Sequence, residues 1–168
     1  LQTTFSFKIR GAVNKIKNLD EKALKNGVIC SSAGNHAQGV ALASKLNKNR
    51  AVIVMPQTTP SIKIEAVKAL GAEIILHGDN YDEAFSKAKE IEQSESLTFI
   101  HAFDDPYVIA GQGTIGIEIL EQLNETIDAI FVPIGGGGLI SGIATYVKEV
   151  QPNIKIIGVE PEDSASMK

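Results

Sequence analysis

The chain has 168 residues, of which 43% are hydrophobic, so it has enough apolar side chain for the core of one globular domain or of two small lobes. Its 16 basic and 20 acidic side chains give a formal net charge of −4, which argues against the broad basic surface of proteins that bind nucleic acids or anionic membranes. A lone cysteine, Cys30, cannot form an internal disulfide, and no apolar run approaches the roughly 20 residues that span a bilayer.

From Val28 onward, short β-branched runs alternate with longer helical patterns, and Gly, Pro or Asn marks each junction. The runs predict strands at residues 28–30, 51–55, 73–76, 97–100, 129–132 and 154–159. The helical patterns predict helices at residues 36–46, 61–70, 81–92, 106–122 and 139–150. Several strands are apolar on both faces, as buried parallel strands require, so the pattern predicts a layered α/β fold. Close helix packing is the expected role of the glycines at 111, 113 and 116.

A lysine near the start of the chain is the first candidate for chemistry. Lys8 follows Phe7 and lies just before a helical stretch that contains Val13 and Ile16. Most lysines in globular proteins are solvated surface groups, and this interpretation stands beside the functional one. An aromatic neighbour and a half-buried position would lower the pKa of the amine and give the neutral form that Schiff-base chemistry needs.

A small polar loop at residues 31–36 leads from the first predicted strand into a helix. In the simplest interpretation, Ser32 or Asn35 caps the free N–H groups of that helix. The same N–H groups and the helix dipole also suit an anion such as a substrate carboxylate. His36 is more typical of a helix-terminal or packing residue than of a general base, and nothing near it has the spacing of metal ligands.

Four consecutive glycines separate a hydrophobic strand from the helical pattern that begins at Leu139; they are Gly135, Gly136, Gly137 and Gly138. A flexible turn is the plain alternative. However, four glycines carry a large entropy cost on folding, and they recur where a backbone must approach a phosphate closely. The pattern matches neither the dinucleotide-binding Gly-x-Gly-x-x-Gly nor a P-loop, and we favour a phosphate site of another kind.

Six segments together carry a family resemblance: residues 6–12, 32–39, 55–56, 71–73, 110–114 and 135–138. They resemble the threonine/serine dehydratase family of fold-type-II pyridoxal-phosphate enzymes over nearly the whole chain. The resemblance implies an α/β fold similar to the tryptophan synthase β subunit, with three-layer lobes built on parallel sheets. Residues 1–27 would belong to a large cofactor-binding lobe, residues 28–104 to a small mobile lobe, and residues 105–168 to the large lobe again. Because the chain begins at Leu1 and not at Met, we expect an incomplete chain.

The resemblance implies a role for each candidate residue. Pyridoxal 5'-phosphate would be the cofactor, carried by Lys8, with Phe7 beside its ring and Asn35 hydrogen-bonded to its ring hydroxyl oxygen. Its phosphate would be held by the backbone N–H groups of Gly135, Gly136, Gly137, Gly138 and Leu139. The substrate carboxylate would be received by Ser32, Gly34, Asn35 and His36.

The implied reaction is the dehydration and deamination of L-threonine, and of L-serine, to a 2-oxo acid and ammonia, as in isoleucine biosynthesis. In this carbon–nitrogen lyase, Lys8 would be the catalytic residue that removes the Cα proton. A serine racemase-like enzyme is the nearest alternative, but its members place a serine where Ala33 stands here, and an alanine has no proton to donate on the second face of Cα. A cysteine-synthase-like enzyme matches the motifs less well, and the presence of Lys8 argues against a non-catalytic domain of this fold.

The expected partner is a small amino-acid substrate, bound by a homo-oligomer of the complete protein, with no role for nucleic acid or membrane. We expect a cytoplasmic protein, or an organellar one if a segment before Leu1 carries a transit peptide. No metal site is assigned, because Ser164 and Ser166, which follow Glu160, are poor cation ligands.

Overall fold

The computed structural model describes residues 3–167, so Leu1, Gln2 and Lys168 lie outside the described residues. The chain forms two compact units, of which the first ends at His101 and the second begins at Ala102. The first predicted lobe segment begins at position 1 and the last ends at position 168, and both positions lie outside the residues that the structure describes. Within residues 3–167, none of the helices combines the length and apolar character that a membrane span requires.

The first unit is built on a parallel sheet. Its strands are β1 (Val28–Ser31), β2 (Ala51–Met55), β3 (Glu73–Leu76) and β4 (Thr98–Phe99). Its helices are α1 (Lys8–Lys17), α2 (Glu21–Asn26), α3 (Asn35–Asn47), α4 (Ser61–Lys68) and α5 (Tyr81–Glu95). The strand order is β3-β2-β1-β4, and Val28 of β1 lies between Ala51 of β2 and Thr98 of β4. Because all four strands run the same way, the loops that follow them lie along one edge, where ligands bind in open α/β sheets.

Helices cover both faces of this sheet, so the first unit has three layers. On one face, Ile53 of β2 belongs to a buried cluster with Val40 of α3. On the other face, Val52 of β2 packs in a second cluster with Ala84 of α5. Every residue of β1 and β2 is buried, which confirms the expectation that these strands are apolar on both faces.

The second unit is a smaller α/β arrangement. It contains α6 (Pro106–Gln122), β5 (Ala129–Pro133), α7 (Gly138–Val150) and β6 (Lys155–Val159), followed by a short 3-10 helix (Glu162–Ser164). β5 and β6 pair in parallel over five residues each. A Cβ on Gly113 of α6 would lie 2.8 Å from the carbonyl oxygen of Gly142 of α7, and one on Gly116 would lie 3.2 Å from Val147 Cγ2. The predicted packing role of these two α6 glycines is therefore confirmed.

Several boundaries differ from the predictions. The predicted strand at 97–100 is limited to the two residues of β4, while the predicted helix at 81–92 continues to Glu95 in α5. The sequence places Lys8 just before a helix, whereas the structure begins α1 at Lys8 itself. The edge strand β3 and the paired strands β5 and β6 are partly exposed, because each lacks a neighbour on at least one side within the described residues.

The division into a large and a small lobe, predicted for the complete protein, stays a prediction. In the structure, α1 and α2 belong to the same compact unit as the sheet, and α1 packs against α3. The division after His101 lies three residues before the predicted limit at residue 104.

Candidate functional site

Lys8 occupies the first turn of α1 in a half-buried position. The hydroxyl of Ser6 accepts a hydrogen bond from the Lys8 N–H at 3.3 Å, which satisfies one of the free N–H groups at the start of α1. The Nζ atom lies 5.2 Å from the centre of the Phe7 ring. Burial lowers the pKa of the Lys8 amine from its ordinary value. A larger neutral fraction makes this amine better suited to attack a carbonyl group or to accept a proton.

The loop between β1 and α3 brings polar groups to the carboxyl edge of the sheet. The Ser32 N–H donates to the carbonyl oxygen of Val54 at 3.1 Å, and the Ser32 hydroxyl accepts from the Gly34 N–H at 3.2 Å. The N-cap residue of α3, Gly34, has no side chain to cap the helix. The capping interpretation is therefore confirmed for Ser32, whose hydroxyl accepts from the N–H of Gly34, the N-cap residue of α3, and is wrong for Asn35, which is the first residue of the helix. The N–H groups of its first turn face outward from the helix end without a side-chain acceptor.

His36 and Asn35 begin α3 in contrasting environments. The side chain of Asn35 is exposed, so its amide is accessible to a ligand. The ring of His36 is buried, and its Nε2 atom lies 2.8 Å from the carbonyl oxygen of Ile100. Burial lowers the pKa of His36 to about 4, the bond to Ile100 acts in the opposite direction, and the charges of Lys8 and His101 add to the lowering. The ring is therefore neutral at physiological pH.

The four-glycine loop connects β5 to α7 in the second unit. Gly137 has a φ of +83°, a left-handed conformation that favours glycine, and it is the N-cap of α7. A Cβ on Gly135 would meet nothing within 4 Å, whereas one on Gly138 would lie 2.8 Å from the carbonyl oxygen of Phe103. One on Gly136 would lie 2.3 Å from the Phe103 ring. Two of the four glycines are thus required by the packing of Phe103, and Gly135 is the member that leaves open space beside the backbone.

The last described residues fold back on this loop. The Ser166 hydroxyl lies 2.7 Å from the Gly135 carbonyl oxygen. The Glu160 carboxylate accepts from the N–H groups of Ser166 at 2.7 Å and Met167 at 3.0 Å. Glu160 therefore orders this turn, and the described residues contain no cluster of three His, Cys, Asp or Glu side chains that suits a metal ion.

The structure divides the predicted site residues between the two units. The first unit holds Phe7, Lys8, Ser32, Gly34, Asn35 and His36, and the second holds Gly135, Gly136, Gly137, Gly138 and Leu139. Within the first unit, α1, which begins at Lys8, packs against α3, which begins at Asn35. The hydrogen bond from the Lys8 N–H to the Ser6 hydroxyl was not predicted, although a hydroxyl two residues before Lys8 was the available signal.

Comparisons with known proteins bear on the family and the fold of the chain. The family described as pyridoxal-phosphate dependent enzyme matches residues 1–168. A biosynthetic, chloroplastic threonine dehydratase 1 of Solanum lycopersicum is 60% identical over 167 residues, which are 99% of this chain and 28% of that protein. The processed threonine deaminase isoform 2 of the same plant superposes with a TM-score of 0.96 at 57% identity, over 99% of this chain and 48% of that one. Maize serine racemase superposes with a TM-score of 0.91 at 43% identity, over 95% of this chain and 48% of that one.

Two consequences follow from these comparisons. The α/β fold with parallel sheets predicted from the motifs is confirmed. The chain spans 28% of the length of the curated relative, so it corresponds to part of a longer polypeptide in that relative.

Proposed function

The chain belongs to the pyridoxal-phosphate dependent enzyme family, and on that premise we propose that the complete protein dehydrates and deaminates L-threonine, and also L-serine, to a 2-oxo acid and ammonia. The observation that carries this proposal is the higher identity to threonine dehydratase than to serine racemase over almost the same residues. The enzyme would be a carbon–nitrogen lyase of amino-acid metabolism.

The described residues fit the cofactor in each unit separately. In the first unit, the half-buried Lys8 amine would bind the cofactor covalently, and the exposed Asn35 amide would contact its ring hydroxyl oxygen. In the second unit, the N–H groups of residues 135–139 would hold its phosphate beside Gly135, where no Cβ or neighbouring atom fills the space. When bound, pyridoxal 5'-phosphate delocalises the negative charge that develops on the substrate Cα.

Lys8 would perform the proton transfer. As a free amine, the Lys8 Nζ atom would accept the proton from the substrate Cα. This step needs a neutral amine, and burial of Lys8 shifts its pKa in the required direction. The half-buried Phe7 would flank the cofactor ring and restrict access of water to the amine.

The loop before α3 would orient the substrate. Its carboxylate would lie at the N-terminus of α3, where backbone N–H groups and the helix dipole favour an anion. The Ser32 hydroxyl already accepts from Gly34, so it can donate its own proton to a carboxylate oxygen. Ser32, Gly34, Asn35 and His36 would thus fix the Cα–H bond with respect to Lys8.

Serine racemisation is the second candidate, supported by the similarity to maize serine racemase. Racemisation requires a proton donor on each face of Cα. Ala33 offers none, because a methyl group has no acidic hydrogen; this side chain packs half-buried against the apolar cluster of the first unit. The absence of a hydroxyl at this position favours elimination.

The partners and compartment follow the same proposal. The substrate is a small amino acid, and the complete protein would form a homo-oligomer. We place it in the cytoplasm, or in an organelle where the longer chain carries a transit peptide, as the chloroplastic designation of the tomato relative illustrates.

The test is the absorbance spectrum of the complete purified protein with pyridoxal phosphate, recorded before and after addition of L-threonine. We expect a visible band of bound cofactor that changes on addition, with formation of 2-oxobutanoate and ammonia in equal amounts. Cofactor binding without any 2-oxo acid from threonine or serine would contradict the proposal. L-alanine, which lacks the β-hydroxyl, is the control substrate.

A further inference from the structure

The orientation of the His36 ring is set by one hydrogen bond. Its Nε2 atom lies 2.8 Å from the Ile100 carbonyl oxygen, and the residue is 5% exposed. A carbonyl oxygen only accepts hydrogen bonds, so Nε2 carries the hydrogen. A neutral imidazole with its hydrogen on Nε2 has a lone pair on Nδ1, and Nδ1 is then an acceptor.

An acceptor nitrogen cannot bind a carboxylate oxygen, which is itself an acceptor. A doubly protonated ring would donate from both nitrogens, but burial and the charges of Lys8 and His101 lower the pKa of His36 to about 4. The side chain of His36 is therefore unsuited to hold the substrate carboxylate directly. The sequence expectation places His36 in the loop that receives the carboxylate and does not say whether its side chain or its backbone takes part.

The acceptor of the hydrogen bond is itself rigidly held. The Ile100 N–H donates to the Ile29 carbonyl oxygen of β1 at 2.8 Å, which extends the sheet ladder beyond β4. The bond from His36 therefore links the first turn of α3 to Ile100, which is 64 positions away in the chain. Through its own N–H, Ile100 is in turn bonded to β1, an interior strand of the sheet. Since Gly34 supplies no side-chain cap, the bond from His36 is a fixed point at the start of α3.

We propose that His36 is a positioning residue: its imidazole anchors the first turn of α3 to Ile100, so that the backbone N–H groups of residues 35–37 point at the substrate carboxylate. This inference rests on the proposed function, because it assumes a carboxylate at the N-terminus of α3. It assigns the recognition to the backbone and gives the side chain the task of holding that backbone in place.

Two substitutions in the complete protein separate positioning from direct contact. The Gln side chain is one methylene longer than Asn, so its amide nitrogen reaches the position of Nε2, whereas that of Asn stops near the position of Nδ1. We expect His36→Gln to keep the bond to Ile100 and the wild-type KM for L-threonine. We expect His36→Asn to leave the Ile100 carbonyl unpaired and to raise that KM about tenfold, with a smaller change in kcat. His77→Asn, at an exposed histidine, is the control and should change neither.

A ligand without a carboxylate gives a second readout. L-threoninol carries the amine and the hydroxyl of threonine, and its binding is followed by the absorbance change of the bound cofactor. We expect wild type and His36→Asn to bind threoninol alike, because only the carboxylate site differs. If wild type responds to neither threonine nor threoninol, the proposed function fails. Two outcomes would overturn the positioning role while the proposed function stands, provided that wild type binds threonine. In one, His36→Gln and His36→Asn lose threonine binding equally; in the other, neither variant loses it.

A spectroscopic measurement covers the case in which His36→Asn does not fold. In the complete wild-type protein labelled with 15N-histidine, the two-bond 1H–15N spectrum reports which ring nitrogen carries the hydrogen, and His36→Gln assigns the signal. We expect the Nε2–H form at pH 7, unchanged by L-threonine. An Nδ1–H form, a charged ring, or a signal that shifts to a doubly protonated ring when threonine binds would overturn the inference.

Discussion

Gly39 of α3 lies directly against the backbone of Lys8. A Cβ on Gly39 would be 3.1 Å from the Lys8 carbonyl carbon and 3.2 Å from its carbonyl oxygen. Those distances are shorter than ordinary van der Waals contact, so a side chain on Gly39 would force the two helices apart by a few tenths of an ångström. The helix that carries the proposed cofactor lysine is therefore positioned by α3, which follows the loop after β1.

Replacing Gly39 with Ala should displace Lys8 by a few tenths of an ångström, because the atoms it meets are backbone and cannot rotate away. We expect kcat for threonine in the complete protein to fall roughly threefold to tenfold, with a shifted visible band of the bound cofactor. Gly116→Ala is the control, since its Cβ would lie 3.2 Å from a Val147 methyl group in the second unit. Equal spectra and rates for Gly39→Ala and wild type would show that Lys8 tolerates this displacement.

The fold was predictable where the sequence pattern is long enough to repeat. β1 and β2 were located from continuous apolar runs, and α6 from a 17-residue helical pattern. α2 was missed because its six residues include two apolar side chains, Ala23 and Leu24, which is too short a pattern to show a helical repeat; both are half-buried, and Leu24 packs against the core of the first unit. Its ends are nevertheless marked, since Asp20 accepts from the Ala23 N–H and Gly27 has a φ of +104°.

The site was predictable to the level of its loops and no further. Motif spacing locates the lysine, the polar loop and the four glycines, because these are contiguous in the chain. The bond from His36 to Ile100 joins residues 64 positions apart, and the contact of Gly136 with Phe103 spans two loops. Such contacts depend on how the elements pack, and a local pattern carries no information about them.

Lys8→Ala should abolish the visible absorbance of the bound cofactor in the complete protein, because the proposed covalent attachment is removed. Lys17→Ala is the matched control, since Lys17 is exposed on the same helix. Reduction with borohydride followed by peptide mapping identifies the modified residue. A reduced cofactor adduct on any lysine other than Lys8 would show the assignment to be wrong.

The phosphate site is tested by two glycines of the same loop. Gly135→Val places its side chain where nothing lies within 4 Å, so it should lower cofactor affinity at least about tenfold and leave the stability of the apo protein unchanged. Gly138→Ala would meet the Phe103 backbone at 2.8 Å and should destabilise the apo protein by about 1–3 kcal/mol.

Equilibrium titration with pyridoxal phosphate and thermal unfolding of the apo protein measure the two effects separately. An unchanged cofactor affinity in Gly135→Val would identify the loop as structural. Gly136→Val is less informative than Gly135→Val, because its side chain would collide with the Phe103 ring and change packing and access together.

Because the pKa of His36 is lowered, the free energy of unfolding should decrease in acid. That pKa is about 4 in the folded protein and 6.5 in the unfolded chain, so the unfolded state binds the proton first as pH falls. The stability associated with the neutral ring is complete above pH 6.5 and declines as pH falls towards about 4. Between pH 7.5 and 5.0 the wild-type apo protein should lose about 2 kcal/mol more than His36→Gln, as measured by denaturant unfolding. The same loss in both proteins would contradict the low pKa.

The lack of a proton donor at Ala33 should favour elimination over racemisation of the substrate. The Ala33 side chain is half-buried beside the substrate loop and has no proton to give, so the proposed enzyme can exchange the Cα proton only on the Lys8 face. We expect the unmodified complete protein to form 2-oxobutanoate from L-threonine and to form almost no D-serine from L-serine. Ala33→Ser adds one hydroxyl and should raise D-serine formation at the expense of pyruvate, whereas Ala33→Val, which adds volume without a proton donor, should not. Chiral chromatography of serine incubations beside a 2-oxo acid assay measures both products in one sample. Rapid D-serine formation by the unmodified protein with little pyruvate would replace the dehydratase proposal with the racemase.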